Sequence, residues 1–135
     1  MDRLFLDANV LFSAAYRPNA GILALWKIPD VVLVTSSYAL EEARRNLREE
    51  VQRARLRDLI EKMEVGEASM LPPDLRGRIE LPEKDWAILG GASAAGATHL
   101  ITGDLRDFGP YFGERLFGVL ILRPAEYLRG PPLSR

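Results

Sequence analysis

The run Val31-Val32-Leu33-Val34-Thr35 constrains the fold more than any other stretch of the chain. It is β-branched and apolar almost throughout and has no polar face to show to water. It therefore reads as a central strand of a parallel sheet, covered on both sides. Shorter runs of the same character occur at Arg3-Leu4-Phe5-Leu6, His99-Leu100-Ile101 and Val119-Leu120-Ile121-Leu122. Helix-patterned stretches separate them. Alternation of strand and helix predicts an α/β protein, a three-layer α/β/α arrangement with a central parallel β-sheet and helices on both faces.

At 135 residues the chain has the length of one domain, read here as residues 1–130 with a C-terminal tail at 131–135. Hydrophobic residues at 47% and charged residues at 27% are ordinary globular values and exclude a disordered or fibrous chain. The apolar runs are too short to span a bilayer, and Met1 is followed at once by Asp2, Arg3 and a strand, leaving no room for a signal peptide. Without cysteine there is neither a disulfide framework nor a thiolate metal site. The expectation is a soluble cytoplasmic protein with no membrane association. A net charge of −1 argues against a globally basic nucleic-acid binder. His99, the single histidine, opens a strand, which favours a structural role over acid–base chemistry.

Taken in order, Asp7-Ala8-Asn9 follows the first strand, where an acid is either a cap or a site carboxylate. Val10-Leu11-Phe12 opens another apolar segment, broken by Arg17-Pro18-Asn19, and residues 20–28 read as a short buried helix stopped by Pro29-Asp30. Ser36 and Ser37 offer N-cap hydroxyls to a helix whose apolar stripe is Leu40, Ala43, Leu47 and Val51. The stripe loses phase near Gln52-Arg53 and resumes at Leu56, Leu59, Ile60 and Met63, predicting two helices or one kinked helix that closes near Gly66. The arginines and acids interleaved there mark a solvated helical face, with phosphate contact as the functional alternative. Residues 71–82, rich in proline, read as an irregular exposed flap beside the site, a candidate for substrate or partner contact, and residues 83–96 as a helix whose small residues allow close packing on the sheet. Next, the strand at His99 runs into Gly103-Asp104-Leu105-Arg106-Asp107, which delivers two carboxylates to a strand end, where turn chemistry is the plainer reading. Residues 110–113 read as a turn or short helix, and 124–128 as a short last helix.

Asp7, Glu42, Asp85 and Asp104 each lie at a strand end or helix start, and such points converge on one edge of a parallel sheet. For Asp85 the plainer alternative is a favourable place in a helix dipole. Clustered carboxylates raise one another's pKa or recruit cations. With no cysteine, and no histidine in the other segments, the ligands would be oxygen only, which selects Mg²⁺ or Mn²⁺ over zinc. A pair of such ions about 3.5–4 Å apart is the usual apparatus for cutting phosphodiesters.

The order Leu6-Asp7-Ala8-Asn9-Val10, Val34-Thr35-Ser36 with Glu42-Ala43-Arg44-Arg45-Asn46-Leu47, Lys84-Asp85-Trp86-Ala87-Ile88-Leu89, and Ile101-Thr102-Gly103-Asp104-Leu105-Arg106-Asp107 resembles the PIN domain. The resemblance covers roughly residues 4–128. It implies a PIN-like fold and an endoribonuclease dependent on one or two Mg²⁺ or Mn²⁺ ions. Small stand-alone members are commonly VapC-type toxins, so it also implies an RNA substrate, an antitoxin protein partner and a homodimer. Residue by residue it makes Asp7, Glu42, Asp85 and Asp104 the catalytic acids, with Asp107 as a further metal ligand. Asn9 and Thr102 would orient those carboxylates, and Arg44, Arg45 and Arg48 are the candidates for RNA contact. Glu42 rather than Glu41 follows from the family's spacing to Leu47, which helical geometry alone does not decide. A haloacid-dehalogenase-type phosphatase is the nearest enzyme rival, with Asp7 as nucleophile and Lys84 on phosphate. It requires an acid two places after the nucleophile, and Asn9 stands there. A non-catalytic interaction module with the same fold is the other alternative.

Overall fold

The computed structural model describes residues 1–130, so the tail expected at 131–135 lies outside the described residues. Strand β1 (Asp2–Leu6) is followed by α1 (Ala8–Tyr16), a 3₁₀ helix at Gly21–Lys27, β2 (Val31–Ser36), α2 (Ser37–Asn46), α3 (Glu50–Ile60) and β3 (Glu64–Gly66). A 3₁₀ turn at Pro73–Leu75 precedes α4 (Glu83–Ala94), β4 (His99–Ile101), α5 (Leu105–Phe108) and a further 3₁₀ turn at Gly109–Tyr111. The hairpin β5 (Arg115–Leu116) and β6 (Val119–Leu122) and the short α6 (Pro124–Leu128) complete the described chain.

The six strands form one sheet in the order β3-β2-β1-β4-β6-β5, parallel except for β5 against β6. Leu4, Phe5 and Leu6 are all fully buried. Because successive side chains point to opposite faces, both faces of β1 are covered. Helix α4 lies on the face of Phe5, whose ring is 3.3 Å from the position a Cβ would take on Gly91. Right-handed crossovers put the helices of the β1–β2 and β2–β3 connections on the other face. The predicted three-layer α/β fold is what the chain adopts.

Several details differ from expectation. The apolar segment after Asp7 is helix α1, and the helix expected at 20–28 is 3₁₀ with Leu25 as its buried residue. The break between α2 and α3 falls at Leu47–Glu49, earlier than the loss of phase suggested, and Val51 is 56% exposed. The inward position is instead Gln52, whose amide caps the Glu49 N–H and donates to the Tyr16 carbonyl, so a polar side chain does a core residue's work. Two short edge strands carry no hydrophobic signature. All of β3 is exposed, and β5 is joined to β6 by Phe117-Gly118, both at positive φ as a type I′ turn requires.

Candidate active site at the switch point of the sheet

Strand order reverses between β1 and β4: the chain moves outward from β1 through β2 to β3, then crosses to β4 and continues the other way. In open parallel sheets the crevice beyond such strand ends is where ligands bind. Asp7 follows β1, and Thr102 and Asp104 follow β4, so paired strands carry all three residues to that crevice.

Asp7 caps α1. Its Oδ1 accepts the Ala8 N–H at 2.6 Å, and its Oδ2 accepts the Thr102 hydroxyl at 2.8 Å and the Asn9 amide at 3.1 Å. The Thr102 hydroxyl also accepts the Asp104 N–H at 3.1 Å, and Asn9 Oδ1 accepts the Gly103 N–H at 2.8 Å. Asn9 and Thr102 thereby tie the β4–α5 turn to the β1–α1 turn and fix the Asp7 carboxylate between them. Burial pushes the Asp7 carboxyl up to about 6 in spite of the Thr102 and Ala8 hydrogen bonds, and the Glu42 and Asp104 charges add to the rise.

Asp85 arrives from the first turn of α4 and is 4% exposed. Its Oδ2 is buried with no hydrogen-bond partner among the described residues. Asp85, Asp104 and Asp107 each offer an oxygen, and the three lie within 4.8 Å of one another. Burial, then the contact with Asp107, holds the Asp85 carboxyl well above the carboxylate range, while that contact holds Asp107 below it. Two ionised carboxylates are both acceptors, so this pairing requires a proton or a cation between them. Dipole stabilisation alone does not account for so buried an acid. Asp104 Oδ1 accepts the Asp107 N–H at 3.0 Å, which keeps the turn closed.

Asp7, Glu42, Asp85 and Asp104 line one cavity of about 410 Å³. Glu41 does not line it: exposed on α2, it pairs with Arg44 at 2.6 Å, and this contact holds its carboxyl low. The structure therefore separates the two glutamates that helical periodicity left equivalent. Asn46, Lys84, Phe12 and Ile88 also line the cavity, and the sequence reading assigned no cavity role to Asn46, Phe12 or Ile88. The signal for Asn46 was its place one turn beyond Glu42 on α2. In the sequence, Lys84 has a role only under the phosphatase alternative.

The arginine-rich region is largely committed to structure. Arg53 donates to the Leu47 carbonyl, Arg55 to the Ala15 and Tyr16 carbonyls, and Arg57 pairs with Glu50. Of the RNA-contact candidates, Arg44 is bound to Glu41, while Arg45 and Arg48 are exposed at the end of α2 and beyond it. Residues 71–82 do not line the cavity. Arg76 pins that segment: its guanidinium lies 4.7 Å over the Trp86 ring, bonds the Leu71 carbonyl and pairs with Glu83. His99 sits at the opposite end of β4, edge-on to Tyr127 with ring centroids 5.1 Å apart.

The donor set fits a hard divalent ion: it is all oxygen, it is clustered, and one buried acceptor has no partner among the described residues.

The sequence matches the PIN domain family profile over residues 3–106. No curated protein matches it. In backbone it is similar to VapBC2 from Rickettsia felis, solved bound to a DNA fragment from its promoter, with a TM-score of 0.65 and 16% identity over 90% of this chain and 98% of that one. It is also similar to VapC20 of Mycobacterium tuberculosis, a Sarcin-Ricin loop cleaving toxin, with a TM-score of 0.51 and 18% identity over 75% of this chain and 91% of that one. FitAcB of Neisseria gonorrhoeae gives a TM-score of 0.51 and 19% identity over 90% of this chain and 98% of that one.

Proposed function

The chain belongs to the PIN domain family, and from that premise we propose that it is a metal-dependent endoribonuclease, the toxin of a toxin–antitoxin pair. The observation that carries the reading is the buried, unpartnered Asp85 Oδ2 beside the oxygens of Asp104 and Asp107, in a cavity that Asp7 and Glu42 also line.

Asp85, Asp104 and Asp107 would hold a Mg²⁺ or Mn²⁺ ion, and Asp7 with Glu42 offers ligands for a second. When bound, such ions acidify water and neutralise charge developing on a phosphodiester. The protein's own contribution is placement. Thr102 and Asn9 hold Asp7 in one rotamer, and Phe12 and Ile88 give the cavity an apolar wall that limits water. The carboxylates determine where a phosphate can sit, and no histidine is needed. Family membership weighs against the phosphatase reading. Asn9, at the position where that family needs an acid, instead bridges Asp7 and Gly103. The VapBC2 neighbour supports an antitoxin protein as partner, and family habit supports a homodimer acting in the cytoplasm. No helix among the described residues is long and apolar enough to cross a membrane.

The test is cleavage of a mixed structured and single-stranded RNA pool with Mg²⁺, Mn²⁺ or EDTA, comparing wild type with Asp104→Asn. Metal-dependent cleavage that falls by at least about 100-fold in the variant is the expected result. Turnover of a phosphomonoester with no cleavage of any RNA would overturn the reading, and metal binding with neither activity would favour the interaction module.

A further inference from the structure

The proposed nuclease site has an electrostatic difficulty. Asp7, Glu42, Asp85 and Asp104 face one cavity, and Asp107 stands beside it, so an approaching polyanion meets a wall of like charge. Lys84 is the cation among the lining residues. It precedes Asp85 in the first turn of α4, so the same backbone that aims Asp85 inward fixes the root of Lys84 at the rim. Its side chain is 58% exposed, and its Nζ is 3.8 Å from Asp107 Oδ2, a long ion pair. The Asp107 side chain is only 15% exposed, but at 3.8 Å the two groups are too far apart for a hydrogen bond, so the pair is weak. Its charge also reaches Asp85 and the Tyr38 hydroxyl. Other cations nearby are differently placed. Arg44 is bound to Glu41, and Arg106, whose charge also acts on Asp107, forms no ion pair with it among the described residues.

We propose that Lys84 is an exchangeable counter-ion, pairing with Asp107 while the acid cluster lacks a divalent ion and passing to a phosphate of the RNA once an ion takes Asp107. The inference rests on the nuclease reading for its second half only. Lysine suits the role because its ammonium is a compact charge on a flexible stem, free to serve two anions in turn. Metal loading and substrate capture are thereby coupled: the ion that occupies the acids releases the cation that holds the strand. A phosphate contact of this kind is made equally in the ground and transition states, so its loss raises KM and leaves kcat in place.

The test compares wild type with Lys84→Met, Lys84→Arg and Arg106→Met. Mn²⁺ binding is titrated on the metal-free full chain, and binding of a fluorescent single-stranded RNA is measured in Ca²⁺ across a salt series. In Lys84→Met, Mn²⁺ is expected to bind about 3–5-fold tighter, because a weak competing ion pair is gone. RNA is expected to bind about 5–10-fold more weakly, with the slope of log affinity against log salt reduced by about 0.7, the signature of one lost phosphate contact on a single strand. Lys84→Arg should stay near wild type in both. Unchanged Mn²⁺ affinity in Lys84→Met, or an equal gain in Arg106→Met, would overturn the counter-ion role. An unchanged salt slope would overturn the phosphate role. Wild type that neither binds nor cleaves RNA would sink the nuclease reading and the phosphate half with it, while the Mn²⁺ comparison still decides the counter-ion.

Discussion

At the hydroxyl of Thr102, hydrogen bonds from Asn9 and the Asp104 N–H meet the bond it donates to Asp7. The residue is fully buried and touches both acids that flank the switch point, one through its hydroxyl proton and one through its lone pairs. Thr102→Val preserves the shape and removes all of this, leaving the Asp104 N–H unpaired. The variant should lose about 10–100-fold in metal affinity or turnover, the usual effect of removing a group that orients a metal ligand. It should also lose about 1–3 kcal/mol of stability through the stranded polar groups. Thr102→Ser, which keeps the hydroxyl, should recover most of both. Calorimetric metal titration beside RNA cleavage checks this, and equal metal affinity in the valine variant would show that Asp7 does not depend on Thr102.

At the scale of the element, α4 positions Asp85 only because its far side can approach the rest of the fold closely. A Cβ on Gly90 would stand 2.4 Å from the Ser69 carbonyl oxygen, a backbone atom with little freedom to move. A Cβ on Gly91 would meet the Phe5 ring at 3.3 Å, a contact that a small side-chain shift relieves. Alanine is the better helix former by about 1 kcal/mol, so the two substitutions should diverge. Gly90→Ala should destabilise by about 1–3 kcal/mol through overpacking, whereas Gly91→Ala should be near neutral. Thermal melting of the two variants side by side decides the point, and equal melting temperatures would mean that the 69–70 segment yields without strain. At this scale the sequence was legible where a continuous apolar or small-residue run matched an element buried on all sides, as in β2 and α4. It was not legible at α3, where a capping amide occupies the inward position, nor at β3 and β5, whose edge strands are too short to show a pattern.

For the whole molecule, the acid cavity makes stability depend on pH and cations. Asp7 titrates near 3.8 in the unfolded chain and is raised to about 6 in the fold, so the native state binds more protons than the unfolded state in that interval. Stability associated with Asp7 is therefore present below the unfolded value and lost as pH rises through the folded one, at about 1.4 kcal/mol per unit of difference. Asp85, raised by burial and Asp107, acts with the same sign and extends the loss to higher pH. In EDTA the melting temperature should fall between pH 5 and neutrality as these two acids ionise. Mg²⁺ or Mn²⁺ should flatten or reverse that fall, because an ion that binds only the native acids stabilises them in their charged form. Melting curves that are flat in EDTA and indifferent to metal would show that the acids do not act as a cation site.

The sequence by itself determined the layered α/β fold, the strands that build its centre, and the candidate acids at their ends. Each of these follows from local pattern: short continuous apolar runs, helical stripes, and polar residues at the point where a strand stops. Only the tertiary structure put Glu42 on the cavity wall and Glu41 in a surface ion pair, made Asp85 and Asp107 share one space, and set Lys84 at the rim. It also turned most of the arginine-rich region into caps and ion pairs. Those outcomes depend on distances between segments far apart in the chain. They were fixed by the reversal of strand order between β1 and β4, which no residue records locally.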